Sequence, residues 1–228
     1  MLLHRTLGPA VEVFQQAVAR YPGSPRLAIG LGMAFYARGN YDDAVAALLK
    51  AADLNPSDPR CYLFLSRAYD SSPSQADEVR QRFHRFAELQ PRNGRAQYYY
   101  AMSLWKGKRA QDSNVDLSVI ETLLKKALEL DPQLAEAHLQ LGNLYFGQKN
   151  YVESIPEFER VLHLSPQTAD AHYKLGQAYF RTGDKNRADE QLAIYQRVRE
   201  KNLAELEKQR AEIKQFVYSA KDSPGGKP

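Results

Sequence analysis

The chain has 228 residues, 43% of them hydrophobic and 25% charged, an ordinary balance for a folded protein. Its net charge of +4 is too small to imply nucleic acid unless the basic residues gather on one face. A single cysteine, Cys61, excludes an intramolecular disulfide and a multi-cysteine metal site, and no apolar run approaches membrane-spanning length.

Five prolines set a register along the chain: Pro22, Pro56, Pro91, Pro132 and Pro166, spaced 34, 35, 41 and 34 residues apart. Each is expected to close a helix, because proline has no amide donor and restricts the residue before it. Residues 5–20 supply only one helix, with Ala10, Phe14 and Ala17 on its inner face ahead of Pro22. This half-unit reads as part of a longer array. The other reading is a natural start whose uncovered face dimerises or meets another segment.

The first full helix pair opens at Ser24-Pro25, an N-cap followed by proline at the first helical position. Leu31, Gly32 and Phe35 share one face, Gly39-Asn40 turns, and Ala44, Leu48 and Ala51 point inward at helical steps. The second pair opens the same way at Asp58-Pro59. Tyr62, Leu65 and Tyr69 face its core, residues 71–74 turn, and Val79, Phe83 and Phe86 follow. In the third, Gln97, Tyr100, Ala101 and Leu104 precede Ile120, Leu124 and Ala127. Residues 106–114 between them absorb seven extra positions (41 − 34), an insertion that costs little entropy.

The fourth pair carries Pro156 inside its second helix, where it is predicted to remove the bond to the Val152 carbonyl and bend the helix. The fifth ends in Ala188, Leu192 and Tyr195, and no breaker follows between Lys185 and Ala220. One long helix is predicted there. Leu203, Leu206, Ile213 and Val217 continue its apolar row, which Arg199 and Arg210 interrupt. Two readings stand: a capping helix with a solvated outer side, or a short coiled-coil seam. Residues 222–228 read as a flexible tail.

Residues 135–166 are followed by their own likeness. His138 and His172, Leu141 and Leu175, Gly142 and Gly176, and Tyr145 and Tyr179 each stand 34 residues apart. A fixed period of this length marks a repeat architecture. The pattern x-x-x-Leu-Gly-x-x-Tyr, an apolar second helix and then proline resembles the tetratricopeptide repeat family over roughly residues 5–195. The resemblance implies an all-α, right-handed α-solenoid of helix-turn-helix units, here the C-terminal part of an array with a long capping helix. The division expected is a partial repeat at 1–22, five units over 23–196, an extended helix at 197–220 and a tail at 221–228.

In this family the first helix of each pair lines the inner, concave surface. By helical offset that wall holds Met33 and Tyr36, then Phe64 and Arg67, then Arg95, Tyr98, Tyr99, Met102 and Trp105. It continues through Asn143 and Phe146 to Tyr173, Lys174 and Phe180. Arg26, Arg60, Lys106 and Arg181 make it more basic than acidic. Tyr, Trp and Arg are common anchors of interfaces, and rigid rings lose little rotamer entropy on binding.

The carboxylate-clamp members of the family, which hold chaperone C-termini, need Lys and Asn, then Asn, then Lys and Arg on three successive first helices. Here those places hold Ile29 and Met33, Phe64, then Arg95 and Tyr99. Begun at the third pair, they hold Tyr98 and Met102, Gln140, then Asp170 and Lys174. The clamp is absent.

No catalytic set emerges. Of His4, His84, His138, His163 and His172, the repeat-related pair His138 and His172 is expected to pack and hydrogen-bond rather than ligate metal. Cys61 falls mid-helix as core filler, and Gly30-Leu31-Gly32 follows no strand, so it is no phosphate loop. The expectation is a non-catalytic interaction scaffold without cofactor, taking a protein or peptide with apolar and acidic residues in the concave groove. The alternative is homo-oligomerisation through the open N-terminal repeat or the long C-terminal helix. Single-stranded nucleic acid is disfavoured by Asp70, Glu136 and Asp170 on the same wall. The compartment is not read from the sequence.

Overall fold

Side-chain caps at Ser24, Asp58 and Asp116, the first two followed by proline, set several of the helix starts. A computed structural model describes residues 2–72, 75–109 and 116–221, with side chains placed at 8–72, 75–106 and 116–212. Within these residues there are eleven α-helices and no strand: α1 (Leu2–Arg20), α2 (Pro25–Arg38), α3 (Tyr41–Leu54), α4 (Pro59–Ser71), α5 (Ala76–Leu89), α6 (Gly94–Arg109), α7 (Leu117–Leu130), α8 (Ala135–Gly147), α9 (Tyr151–Leu164), α10 (Ala169–Thr182) and α11 (Lys185–Lys221). The helices come in consecutive pairs, the arrangement of an α-solenoid. Most of the third-pair insertion and the expected tail lie outside the described residues.

The chain divides into two compact units, one ending at Leu134 and one beginning at Ala135. In the first unit, α1 packs on α2, α2 on α3, α3 on α4, α5 on α6 and α6 on α7. The first helices α2 and α4 also touch, as do the second helices α3 and α5, so this unit has two layers. Leu48, Leu65, Phe83 and Phe86 fill the space between them. In the second unit, α8 packs on α9, α9 on α10, and α10 on α11 around Phe158, Leu175, Tyr179 and Ala188. Helix α9 runs from Tyr151 to Leu164 as one element through Pro156.

Glycine marks where paired helices approach most closely. A Cβ on Gly32 would lie 2.5 Å from Leu48 Cγ, and one on Gly142 would lie 2.8 Å from the Phe158 ring. Ser66 takes the corresponding place in the second pair, ten residues after its proline as Gly32 is after Pro22. There Tyr62 and Phe86 stack at 3.9 Å, and α4 and α5 make the sparsest backbone contact of any pair. Two aromatic rings keep apart what glycine elsewhere allows together.

The predicted caps form. Ser24 accepts from Leu27 N–H at 3.4 Å, and Gly39 adopts φ 88° at the end of α2. Asp58 accepts from Arg60 N–H at 3.0 Å and pairs with the Arg60 guanidinium at 2.6 Å. That guanidinium, outweighing the opposing effect of burial, holds the Asp58 carboxyl below its ordinary value of 3.8. Asp58→Ala should cost about 0.5–2 kcal/mol at pH 7, as lost N-caps do. Because the folded pKa lies below the unfolded one, this contribution is complete above the unfolded pKa and is lost as pH falls through the folded pKa. Urea unfolding of both proteins at pH 7 and near pH 3 measures it; a gap that widens in acid would refute the assignment.

Candidate interaction face

Within each unit the first helices carry side chains that separate into exposed, half-buried and buried sets. Met33 on α2 is 41% exposed, and on α10 Tyr173 is 37% and Phe180 59% exposed. Among the described residues these are the large apolar side chains left exposed on the first helices α2, α4, α6, α8 and α10. All three belong to the expected wall. Arg67 and Arg95 are exposed beside half-buried Phe64, Tyr98, Met102 and Trp105.

Several rings divide their surface between core and solvent. Tyr36 sits against Tyr41 at 5.5 Å, and Phe64 and Tyr98 pack on the core of the first unit. In the second unit Phe146 packs edge-on against Tyr151, with Lys174 Nζ 4.9 Å from its ring centre. The ammonium is placed for a cation–π contact. Tyr173 leans on Tyr195 at 5.2 Å and accepts a 2.8 Å bond from Gln177. Asn143 is half-buried, and its Oδ1 is buried without a hydrogen-bond partner among the described residues.

Tyr99 does not lie on the expected wall. It is only 6% exposed, lies 5.7 Å from both Phe83 and Tyr98, and belongs to the first unit's core rather than its wall. Two basic residues of the expected wall are likewise committed within the fold. Arg60 clasps the capping Asp58. Lys106 pairs with Asp70 at 2.6 Å, donates to the Tyr69 carbonyl at 3.0 Å and stands 5.1 Å from the Tyr69 ring centre, tying α6 to α4.

The candidate chemical residues act as packing groups. His172 Nε2–H donates to the Pro166 carbonyl at 3.0 Å, while Nδ1 lies 2.8 Å from the Gln191 side chain. Tyr62 does the same work in the first unit, its hydroxyl donating to the Pro56 carbonyl at 2.9 Å. Both stand six residues after the repeat proline. His138 Nδ1 donates to the Glu157 carboxylate at 2.6 Å. The Cys61 thiol is fully buried and donates to the Asp58 carbonyl at 2.9 Å, and burial pushes its pKa up to about 12. At neutral pH it is a protonated core group, not a nucleophile. No group of three or more His, Cys, Asp or Glu gathers to hold a metal among the described residues.

Sequence reasoning did not find the open cleft of about 680 Å³ between the start of α9 and the α10–α11 turn. Val152 and Ile155 line one side and Thr182–Arg187 the other. Asp184 there caps Arg187 N–H at 3.1 Å and holds its guanidinium at 2.5 Å. Val152 stands 68% exposed there, and a valine one residue into a helix gives no sign of this in the sequence.

Tetratricopeptide repeat models match residues 9–59, residues 122–149 and 142–183, and residues 170–202. The chain belongs to the tetratricopeptide repeat family. Solved tetratricopeptide repeat folds superpose on it. MamA from Desulfovibrio magneticus RS-1 is 20% identical, covering 78% of this chain and 96% of its own, with TM-score 0.59. A thermophilic TPR protein from Thermus thermophilus is 21% identical over 79% of this chain and 94% of its own, with TM-score 0.61. YrrB, described as a TPR protein with an unusual peptide-binding site, is 21% identical over 88% of this chain and all of its own, with TM-score 0.54. At these identities the likeness is one of fold. Comparison with curated protein sequences gives no significant match. No helix among the described residues is long and apolar enough to cross a membrane.

Proposed function

We propose that this tetratricopeptide repeat chain is a non-catalytic protein–protein interaction scaffold, whose first-helix faces hold a peptide or partner protein carrying apolar and acidic residues. The observation that supports it is the exposure of Met33, Tyr173 and Phe180 on first helices whose other large apolar groups are wholly or partly buried. Folding leaves these side chains in water, while exposed Arg67 in the first unit and half-buried Lys174, next to Tyr173 in the second, supply positive charge. Such a face favours rings and methyl groups from a partner, and carboxylates at the rim. The peptide-binding site named for YrrB is a precedent on this fold.

Panning a random peptide library against the chain should enrich apolar–acidic sequences. Met33→Ala should weaken peptides held by the first unit by about tenfold, and Phe180→Ala those held by the second, each a change of >1 kcal/mol. Because both side chains are exposed, thermal unfolding should stay nearly in place. Peptides that bind both variants as well as the parent would place the site elsewhere.

A further inference from the structure

In the second unit, one position of the repeat ties the first helix of each pair to its second. It stands six residues after the repeat proline and holds His138 and His172. His138 meets Glu157 at 2.6 Å and His172 meets Gln191 at 2.8 Å, each partner 19 residues on. His172 also reaches the Pro166 carbonyl, as Tyr62 at the same position in the second pair reaches that of Pro56. The second, fourth and fifth pairs thus hold a ring with a polar donor at this place.

The third pair departs from this twice. Gln97 stands six residues after Pro91 in place of the ring. Leu123, 26 residues further on or 19 without the seven inserted ones, takes the place of Glu157 and Gln191 and offers no hydrogen bond. An open cleft of about 240 Å³ lies at these positions between α5, α6 and α7, with Pro91, Gln97 and Leu123 in its lining. Ala87 and the Tyr100 ring extend its apolar wall, and exposed His84, Glu88 and Lys126 complete it.

Gln97 is only 3% exposed. Its amide is oriented by a 3.3 Å bond from Nε2 to the Ala87 carbonyl, an acceptor that Pro91, four residues on, has no amide hydrogen to serve. Oε1 has no donor among the described residues, so an arriving donor finds an acceptor already fixed in an apolar wall. A cavity of about 150 Å³ is enough for one benzene ring. Glu88 and Lys126 carry opposite charges, so the lining favours neither a cation nor an anion.

We propose that this cleft binds an uncharged planar ring bearing one N–H or O–H donor, such as a phenol or an indole. The ligand restores from outside what Tyr62, His138 and His172 supply from within their own pairs. The proposal stands apart from the first-helix reading, because neither Met33 nor Phe180 lines the cleft.

Nuclear magnetic resonance titration of the full chain with 4-methylphenol and with toluene tests it. Both probes should give saturable shifts at the Gln97 side-chain amide and the Leu123 methyl groups. 4-Methylphenol should bind about tenfold tighter, because it alone gives Oε1 a donor. Gln97→Leu should bring the two probes to within about twofold of each other, since it removes the acceptor and keeps an apolar wall. Gln97→Tyr, the residue that the second pair carries at this place, should fill the cleft and abolish binding of both. N-acetyltyrosinamide separates the sources of the ring: binding as tight as that of 4-methylphenol assigns the cleft to a partner's tyrosine, and exclusion assigns it to a free molecule. Absence of saturable 4-methylphenol binding overturns the proposal, as does toluene binding the parent equally well. These two readouts need no variant. Unchanged binding in a folded Gln97→Tyr chain overturns it as well.

Discussion

Phe86→Ala should lower stability by roughly 3–5 kcal/mol, the range for deleting a fully buried ring. Phe86 is 0% exposed and lies face to face with Tyr62, ring centres 3.9 Å apart and planes within 9°. Tyr62 is held on its other sides by Phe83, at 6.0 Å, and by its bond to the Pro56 carbonyl. With the tyrosine anchored, the space left by Phe86 closes poorly, and a cavity that persists adds to the lost transfer energy. This pair of helices also lacks the glycine that lets other pairs close up, so the rings set its spacing. Urea unfolding followed by fluorescence of Trp105, the chain's one tryptophan, reports the first unit. A loss below about 1 kcal/mol would mean the site collapses freely and the rings are not spacers.

The second large effect concerns a residue whose sequence position suggested a surface role. Tyr99→Ala should cost about 3 kcal/mol or more, because Tyr99 is buried among the rings of the same core. Met33→Ala on the same expected wall should change stability by less than about 0.5 kcal/mol, because Met33 is 41% exposed. The contrast separates the two roles: loss of binding in Tyr99→Ala reports a damaged core, while loss in Met33→Ala reports a lost contact. Equal unfolding midpoints for Tyr99→Ala and the parent would return that ring to the wall.

These two residues show where periodicity stops informing. Tyr98 and Tyr99 are adjacent on α6, about 100° apart around the helix, which sets Tyr98 to one side of the core row of Gln97, Ala101 and Leu104 and Tyr99 nearly opposite it. Helical steps identify the centre of the buried stripe but not its width. A first helix can also be covered on its far side by the pair before it, and Phe83 of α5 covers Tyr99 there. The wall is less basic than its sequence suggests for a similar reason. Arg60 and Lys106 are cations in the sequence, but their partners Asp58 and Asp70 become neighbours only once a cap forms and α6 lies against α4.

The linear sequence alone determined the helix pairs, their order, their caps at Ser24 and Asp58, and the family, because these follow from local backbone preferences repeated at a fixed period. Tertiary structure alone decided that Tyr99 is core, that Arg60 and Lys106 serve the scaffold, and that α11 leaves the stack after Val198. Burial and ion pairing are properties of what a second element covers, and no single helix carries that information.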